Sequence, residues 1–331
     1  LAYLSKVNYG NTFGQVRMWD TLIYNNLLRK NIVIPPKKHS SKSSQFEGAY
    51  VKEPILGAHN WVVNFDLNSL YPHLIMQYNL SPETLITDEL PKELQEIKDA
   101  KPGVEGLIDQ SISLKSLEKY KLTYTPNNEF YQTGKQGFLP EMMQQIYDDR
   151  VKFKGMMIDA KKKLQKEKDF NERKELQQSI SKYNNMQMNL KITLNSAFGA
   201  MGNQHFRFFD QRIAEAITTS GQLSIKWIEK EINRYLNELL KTDEDYVVAV
   251  DTDSVYITMD KLVQSVYGDK ELDKNKVIDF LDKVCSEQME KIIDKSYQRL
   301  ADYMNAFDQK MIMKRENLAD KALWTSKKRY I

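Results

Sequence analysis

The stretch "VVAVDTDSVYITMD", Val247 to Asp260, places two carboxylates, Asp251 and Asp253, inside a run of β-branched and aromatic residues with no Gly or Pro. In an unbroken strand both would share a face with Val255 and Ile257. Two like charges there need a reason. One reading is a tight turn between two strands, where Asp and Thr are ordinary residues. The other is a cation site: buried carboxylates without partners protonate or destabilise, and two or three oxygens gathered at one point suit Mg²⁺ or Mn²⁺. The stretch alone leaves both open.

The whole chain narrows the chemistry. Its 331 residues allow two or three packed units, and 41% apolar with 28% charged residues is the balance of a globular protein. No run of about 18 apolar residues could span a membrane, and the N-terminus has no signal-peptide pattern. Cys285 is the only cysteine, so an intrachain disulfide and a multi-cysteine zinc site are both excluded, which fits a reducing cytoplasm. A metal is then expected to be held by oxygens. The net charge of +3 says little, but Arg150 to Lys168 carries eight basic and two acidic residues, and "KALWTSKKRYI" interleaves cations with Trp324 and Tyr330. Such clusters are either solvated faces or nucleic-acid contacts.

The elements that must position these groups are legible in outline. "MWDTLIYNNLLRKNIVIPP" predicts a helix over Trp19 to Leu28, followed by an exposed linker, "PPKKHSSKSSQ", Pro35 to Gln45. "HNWVVNFDLNSLYPHLI" predicts an apolar strand ending near Asp66 and then a helix, which delivers an acid into a turn. Pro126, Asn127 and Asn128 predict a β-hairpin turn. Pro140 suits the first turn of a helix. From Glu141 to about Lys168, and from about Arg173 to Asn195, the pattern is helical with "DFNER" between, a long helical hairpin. A further helix leads into the Asp251 strand and another runs through "KVIDFLDKVCSEQMEKIIDKSYQRLADYMN". Acid-bearing strands with helices behind them make an α+β sheet domain with a projecting helical hairpin.

Within that hairpin, Arg150 and Lys154 share a face, as do Lys191 and Asn195. If the turn is centred between Asn171 and Glu172, Arg150 stands level with Asn195 and Lys154 with Lys191. Three cations and an amide would then converge roughly 30 Å from the tip, a cluster suited to a triphosphate. The plain alternative is a set of separate exposed lysines.

Acid, cation cluster and acid pair, in this order, carry a resemblance. "DLNSLYPHLI", "KITLNSAFGAMGN" and "DTDSVYI" resemble motifs A, B and C of family B DNA polymerases, and "KKRY" resembles their K-x-Y motif. "VKEP", "SPET" and "ITTSGQ" extend the likeness, in particular to the replicative polymerases of T-even-type bacteriophages. The resemblance implies a polymerase palm, an antiparallel sheet backed by helices, with the helical hairpin as fingers. It divides the chain into a remnant of exonuclease-side helices and linker at 1–45, palm at 46–139, fingers at 140–200 and palm again at 201–331.

It further implies template-directed transfer of deoxynucleotidyl groups from dNTPs to a primer 3′-hydroxyl, with two Mg²⁺ ions for which Mn²⁺ can substitute. Asp66 and Asp253 would bridge the metals, the Leu67 carbonyl would assist, and Asp251 would lie close by. Arg150, Lys154, Lys191 and Asn195, with Ser69, Leu70 and Tyr71, would hold the dNTP, the Tyr71 ring excluding a 2′-hydroxyl. Phe198 and Gly199 would pack on the nascent base pair, Lys328 and Tyr330 would touch the primer strand, and Glu316 would lie near the metals. The departures are "FEGA" at Phe46 to Ala49 where Tyr-x-Gly-Gly is usual, Phe198 in place of tyrosine, and Val250 where glycine commonly precedes the first aspartate.

Implied partners are primer-template DNA, dNTPs, separate exonuclease- or thumb-bearing polypeptides and a sliding clamp, in the cytoplasm of an infected bacterium and not at a membrane. Leu1 is not an initiator methionine and the sequence stops just past "KKRY", so a piece of something larger is expected, polymerising poorly alone. Two rivals are a degenerate polymerase kept as a nucleic-acid-binding module and a nucleotide-sugar glycosyltransferase with an Asp-x-Asp metal site. The second does not explain the motif B residues or Tyr71.

Overall fold

A computed structural model describes residues 1–37, 47–268 and 273–331. Most of the linker at 35–45, and Phe46 of "FEGA", lie outside the described residues. The main elements, in chain order, are helix α1 (Gln15–Arg29), strand β1 (Gly57–Leu67), helix α2 (Leu70–Gln77), strands β2 (Leu122–Thr125) and β3 (Glu129–Gln132), helices α3 (Phe138–Lys166), α4 (Phe170–Met201) and α5 (Gln211–Leu240), strands β4 (Val247–Asp251) and β5 (Ser254–Thr258), helix α6 (Glu290–Tyr303), and strands β6 (Met313–Ser326) and β7 (Arg329–Tyr330). The fold class is α+β, as the sequence predicts. The described residues form two compact units, one of 1–37, 80–83 and 136–214, the other of 47–79, 84–135 and 215–331.

The first unit is the helical hairpin with α1 against it. Helix α1 buries Met18, Trp19, Ile23 and Leu27, spaced to make one apolar stripe. Trp19 lodges it on α4, its indole N–H donating to the Ser196 hydroxyl at 3.0 Å. The start of α3 is fixed by "SPET": the Glu83 carboxylate accepts the Phe138 N–H at 2.5 Å and the Ser81 hydroxyl at 2.6 Å.

The hairpin turn differs from expectation. Helix α3 ends at Lys166 and α4 begins at Phe170, so the turn is centred on Lys168 and not inside "DFNER". The reason is a cap: the Asp169 side chain accepts the N–H groups of Asn171 and Glu172, both at 2.9 Å, and starts the helix where composition suggested a break. Phe153 and Tyr183, each fifteen residues from Lys168, stack at 6.4 Å and set the register of the two helices.

The second unit is built on a five-stranded antiparallel sheet of order β4-β5-β1-β6-β7. Strand β1 lies at its centre, and its cross-strand pairs Val63 with Ile257 and Phe65 with Val255 are all 0% exposed. On the sheet Val62, Val248, Ala249 and Trp324 form a further buried cluster, with Tyr256 and Ala322 packed on it. Helix α6 packs against α5 through Trp227, whose N–H donates to the buried Ser296 hydroxyl at 2.9 Å. The predicted hairpin is β2-β3, its turn closed by Asn128 in the left-handed region at φ 69.

Candidate active site

Antiparallel pairing brings together carboxylates that are far apart in sequence. Strand β1 delivers Asp66 next to its end, directly opposite Ser254, the first residue of β5. The Ser254 hydroxyl donates to Asp66 Oδ2 at 2.7 Å, and the Leu67 N–H donates to the Asp253 carbonyl at 2.9 Å. Asp251, Thr252 and Asp253 form the turn between β4 and β5, with Thr252 at φ 59 and the Asp253 N–H bonded to the Asp251 carbonyl at 2.7 Å. So the stretch is a turn, and one that presents acids.

The electrostatics of this turn are unusual. Burial pushes the Asp253 carboxyl up to about 6, the Asp66 carboxylate raises it next, and Asp251 and Glu316 add in the same direction, against a backbone hydrogen bond that lowers it. Asp251 is already matched: Lys328 Nζ lies 3.1 Å from its Oδ1. Among the described residues no group of three or more His, Cys, Asp or Glu side chains is placed to hold a metal. The expected donor set is smaller, two carboxylates and the Leu67 carbonyl; Asp66 and Asp253 repel each other and, among the described residues, neither makes an ion pair, which is the kind of charge a hard divalent cation would offset.

Glu316 reaches the same region through an irregularity. Asn64 pairs with Asn317 and Phe65 with Arg315, so Glu316 is the extra residue of a β-bulge. Bulges re-aim side chains. The Asn64 side-chain amide approaches Glu316 Oε2 at 3.5 Å. At the hairpin of β6 and β7, the Tyr330 hydroxyl meets that of Tyr256 at 2.7 Å, and its ring stacks on Trp324 at 5.6 Å.

Ser69, at φ 49, turns the chain into α2, where Leu70 is buried and Tyr71 half-buried. Burial and then the Asp253 carboxylate raise the Tyr71 phenol above its ordinary value. Helix α5 passes beside them at Gly221, where a Cβ would make ordinary contact, 3.5 Å, with both the Tyr71 ring and Leu74. Val250 is buried opposite Val255, so the residue in place of glycine is a core residue of the sheet.

In the helical unit, Arg150 and Lys154 lie on α3, and Lys191, Asn195, Phe198 and Gly199 on α4. Lys154, Lys191 and Asn195 are exposed, while Arg150 and Phe198 are half-buried. The level match fails, because with the turn at Lys168 Asn195 stands nine residues farther from the tip than Arg150, about 13 Å by helical rise. Arg150 and Lys191 differ by only five residues, about 7 Å on the same scale. At Gly199 a Cβ would fall 2.1 Å from the Gln15 amide oxygen of α1.

Sequence reasoning missed Ser254. Its signal, a hydroxyl next to Asp253, becomes meaningful only when the strand pairing sets it opposite Asp66.

Comparison with known proteins decides the family. The family model for DNA polymerase family B matches residues 11–331. The chain belongs to DNA polymerase family B. It is 32% identical over 376 positions to the DNA-directed DNA polymerase of Escherichia phage RB69, and 32% over 377 positions to that of Enterobacteria phage T4; each alignment covers 100% of this chain and 40% of the relative. The DNA polymerase delta catalytic subunit of Candida albicans is 27% identical over 71% of the chain and 20% of its own length. The chain thus spans 40% of the length of the two phage family B polymerases. In family B terms the antiparallel sheet backed by helices is the palm and the helical hairpin the fingers. Neither the family match nor the site favours the glycosyltransferase reading. Among the described residues no helix is long and apolar enough to cross a membrane.

Proposed function

We propose that the chain performs the nucleotidyl transfer of a DNA polymerase, joining a deoxynucleotide from a dNTP to a primer 3′-hydroxyl on a template. The observation that carries this is the meeting of Asp66 and Asp253 at paired strand ends, with Tyr71 in the field of Asp253. In the reaction the primer oxygen forms a bond to the α-phosphorus, the bond from that phosphorus to the bridging oxygen breaks, and pyrophosphate leaves.

The residues divide the work. Asp66 and Asp253, with the Leu67 carbonyl, would hold divalent cations, two Mg²⁺ or Mn²⁺ in their place, beside Asp251 and Glu316. Such cations, when bound, lower the pKa of the attacking hydroxyl and neutralise charge on the triphosphate. Arg150, Lys154, Lys191 and Asn195 bind the triphosphate, and the first turn of α2, Ser69 to Tyr71, meets its sugar, where the Tyr71 ring leaves no room for a 2′-hydroxyl. Phe198 and Gly199 face the nascent base pair. Lys328 and Tyr330 contact the primer strand. We assign palm to 46–139 and 201–331, fingers to 140–200, and 1–45 to the exonuclease side, with primer-template DNA, dNTPs, a sliding clamp and exonuclease- or thumb-bearing polypeptides as partners in an infected bacterium.

The test is extension of a labelled primer on a template by the purified chain, with Mg²⁺ and with a chelator. Addition of dNTPs only with Mg²⁺ is expected. DNA binding without any addition at saturating dNTP and Mg²⁺ would leave a binding module instead.

A further inference from the structure

The segment "YVKEP", Tyr50 to Pro54, takes no part in the chemistry above, yet its backbone runs along the outer edge of β4. Val51 bridges to Asp251, the Lys52 N–H donates to the Val250 carbonyl at 3.0 Å, and the Ile55 N–H to the Val248 carbonyl at 2.9 Å. The Tyr50 carbonyl accepts the Thr252 N–H at 3.0 Å. Thr252 is β-branched and sits in the left-handed region at φ 59. A conformation of this kind persists only when its surroundings over-determine it. The bond to Tyr50 is therefore part of what keeps the acid-bearing turn in shape.

Tyr50 and Lys52 share a partner on α5, the Glu229 carboxylate. Two residues apart in an extended segment, they point the same way. Lys52 Nζ lies 2.7 Å from Glu229 Oε1, 2.5 Å from Asp245 Oδ2 and 2.8 Å from the Val247 carbonyl, so all three ammonium donors are used. Its side chain is 14% exposed and that of Glu229 16%. The Tyr50 hydroxyl also bonds Glu229, and burial followed by that carboxylate pushes the phenol up to about 12. One turn further along the same face of α5, Asn233 donates to Asp245 Oδ1 and accepts the Tyr246 N–H, both at 2.8 Å. Helix α5 thus grips both the segment beside β4 and the start of β4 itself.

We infer that Lys52 and Glu229 are positioning residues for the site: together they clamp residues 50–52 against β4 and so fix the turn that carries Asp251 and Asp253. The inference rests on the reading of that turn as a divalent-cation site. Neither side chain is placed to touch substrate, so the effect must pass through the backbone of Tyr50 and Lys52 into Thr252.

The experiment uses the purified chain without DNA, as wild type, Lys52→Met, Lys52→Arg and Glu229→Gln. Circular dichroism checks folding, hydrogen–deuterium exchange reads the amides of residues 251–253, and electron paramagnetic resonance titration reads Mn²⁺ affinity. Lys52→Met is expected to keep the wild-type spectrum, to exchange those amides about 10-fold faster, and to bind Mn²⁺ about 10-fold more weakly, the usual size of an outer-sphere loss. Lys52→Arg should recover most of both. A residue serving stability alone would lower the unfolding temperature without moving the Mn²⁺ affinity of the folded chain. If Lys52→Met does not fold, Glu229→Gln is read in its place, since it leaves the ammonium on Asp245 and Val247. Unchanged exchange and unchanged Mn²⁺ affinity in the folded variant overturn the clamp. Faster exchange in the variant, together with a wild type that binds no Mn²⁺, would instead keep the clamp and remove the cation reading.

Discussion

Asp253 and Tyr71 make opposite kinds of contribution, and their substitutions separate them. Asp253 lies where its charge is least welcome, half-buried beside Asp66 and with its carboxyl pushed up to about 6. Replacing it by Asn keeps the shape and relieves the repulsion, so the fold should persist or gain stability, while nucleotide addition falls about 1,000-fold or more as several kcal/mol of cation-borne stabilisation is lost. Primer extension with a circular-dichroism control measures this, and near wild-type extension by Asp253→Asn would falsify the assignment. Tyr71 bears no charge in the reaction. Tyr71→Ala should leave dNTP addition within about 10-fold while reducing discrimination against ribonucleotides by about 100-fold or more, since excluding a group by sterics acts on the ratio of the two substrates. Unchanged discrimination would make Tyr71 only a residue packed under Gly221.

Helices and strands set where those residues stand, and their ends are testable. The Asp169 cap starts α4 and with it the register of Lys191 and Asn195. Asp169→Ala should cost about 1 kcal/mol locally. Faster amide exchange at Asn171 and Glu172, with little change at Leu190 and Leu194, is the expected signature; a uniform change along α4 would show that the cap does not act at the tip. In the sheet unit, Trp227 and Ser296 tie α5 to α6. Trp227→Phe leaves the buried Ser296 hydroxyl without this donor, and a loss of about 1–3 kcal/mol in urea unfolding should follow.

At the scale of the whole chain, 48 basic and 45 acidic residues nearly cancel, so affinity for DNA must come from where the cations are grouped. Three or four phosphate contacts, from Lys328 and from basic residues of 150–168 outside the triphosphate set, would weaken binding to primed template about 40- to 150-fold between ~50 and ~200 mM salt, with little dependence on sequence. Fluorescence anisotropy over a salt series measures the slope. A flat response would mean that these cations do not face the DNA.

The sequence by itself determined the element types, the hairpin β2-β3, the acid at the end of β1 and the family motifs, because each is written in local pattern: alternation, apolar stripes, turn residues and short fixed spacings. It also bounded the chemistry, since one cysteine excludes an intrachain disulfide and a multi-cysteine zinc site. Only the tertiary structure decided which strand lies beside which, and therefore that Ser254 serves Asp66, that Glu316 is turned by a bulge and that Lys328 neutralises Asp251. It also moved the fingers turn to Lys168, where a single cap outweighed composition. Strand pairing, bulges and long-range ion pairs join residues that no local spacing connects, so they are settled by packing the whole chain at once.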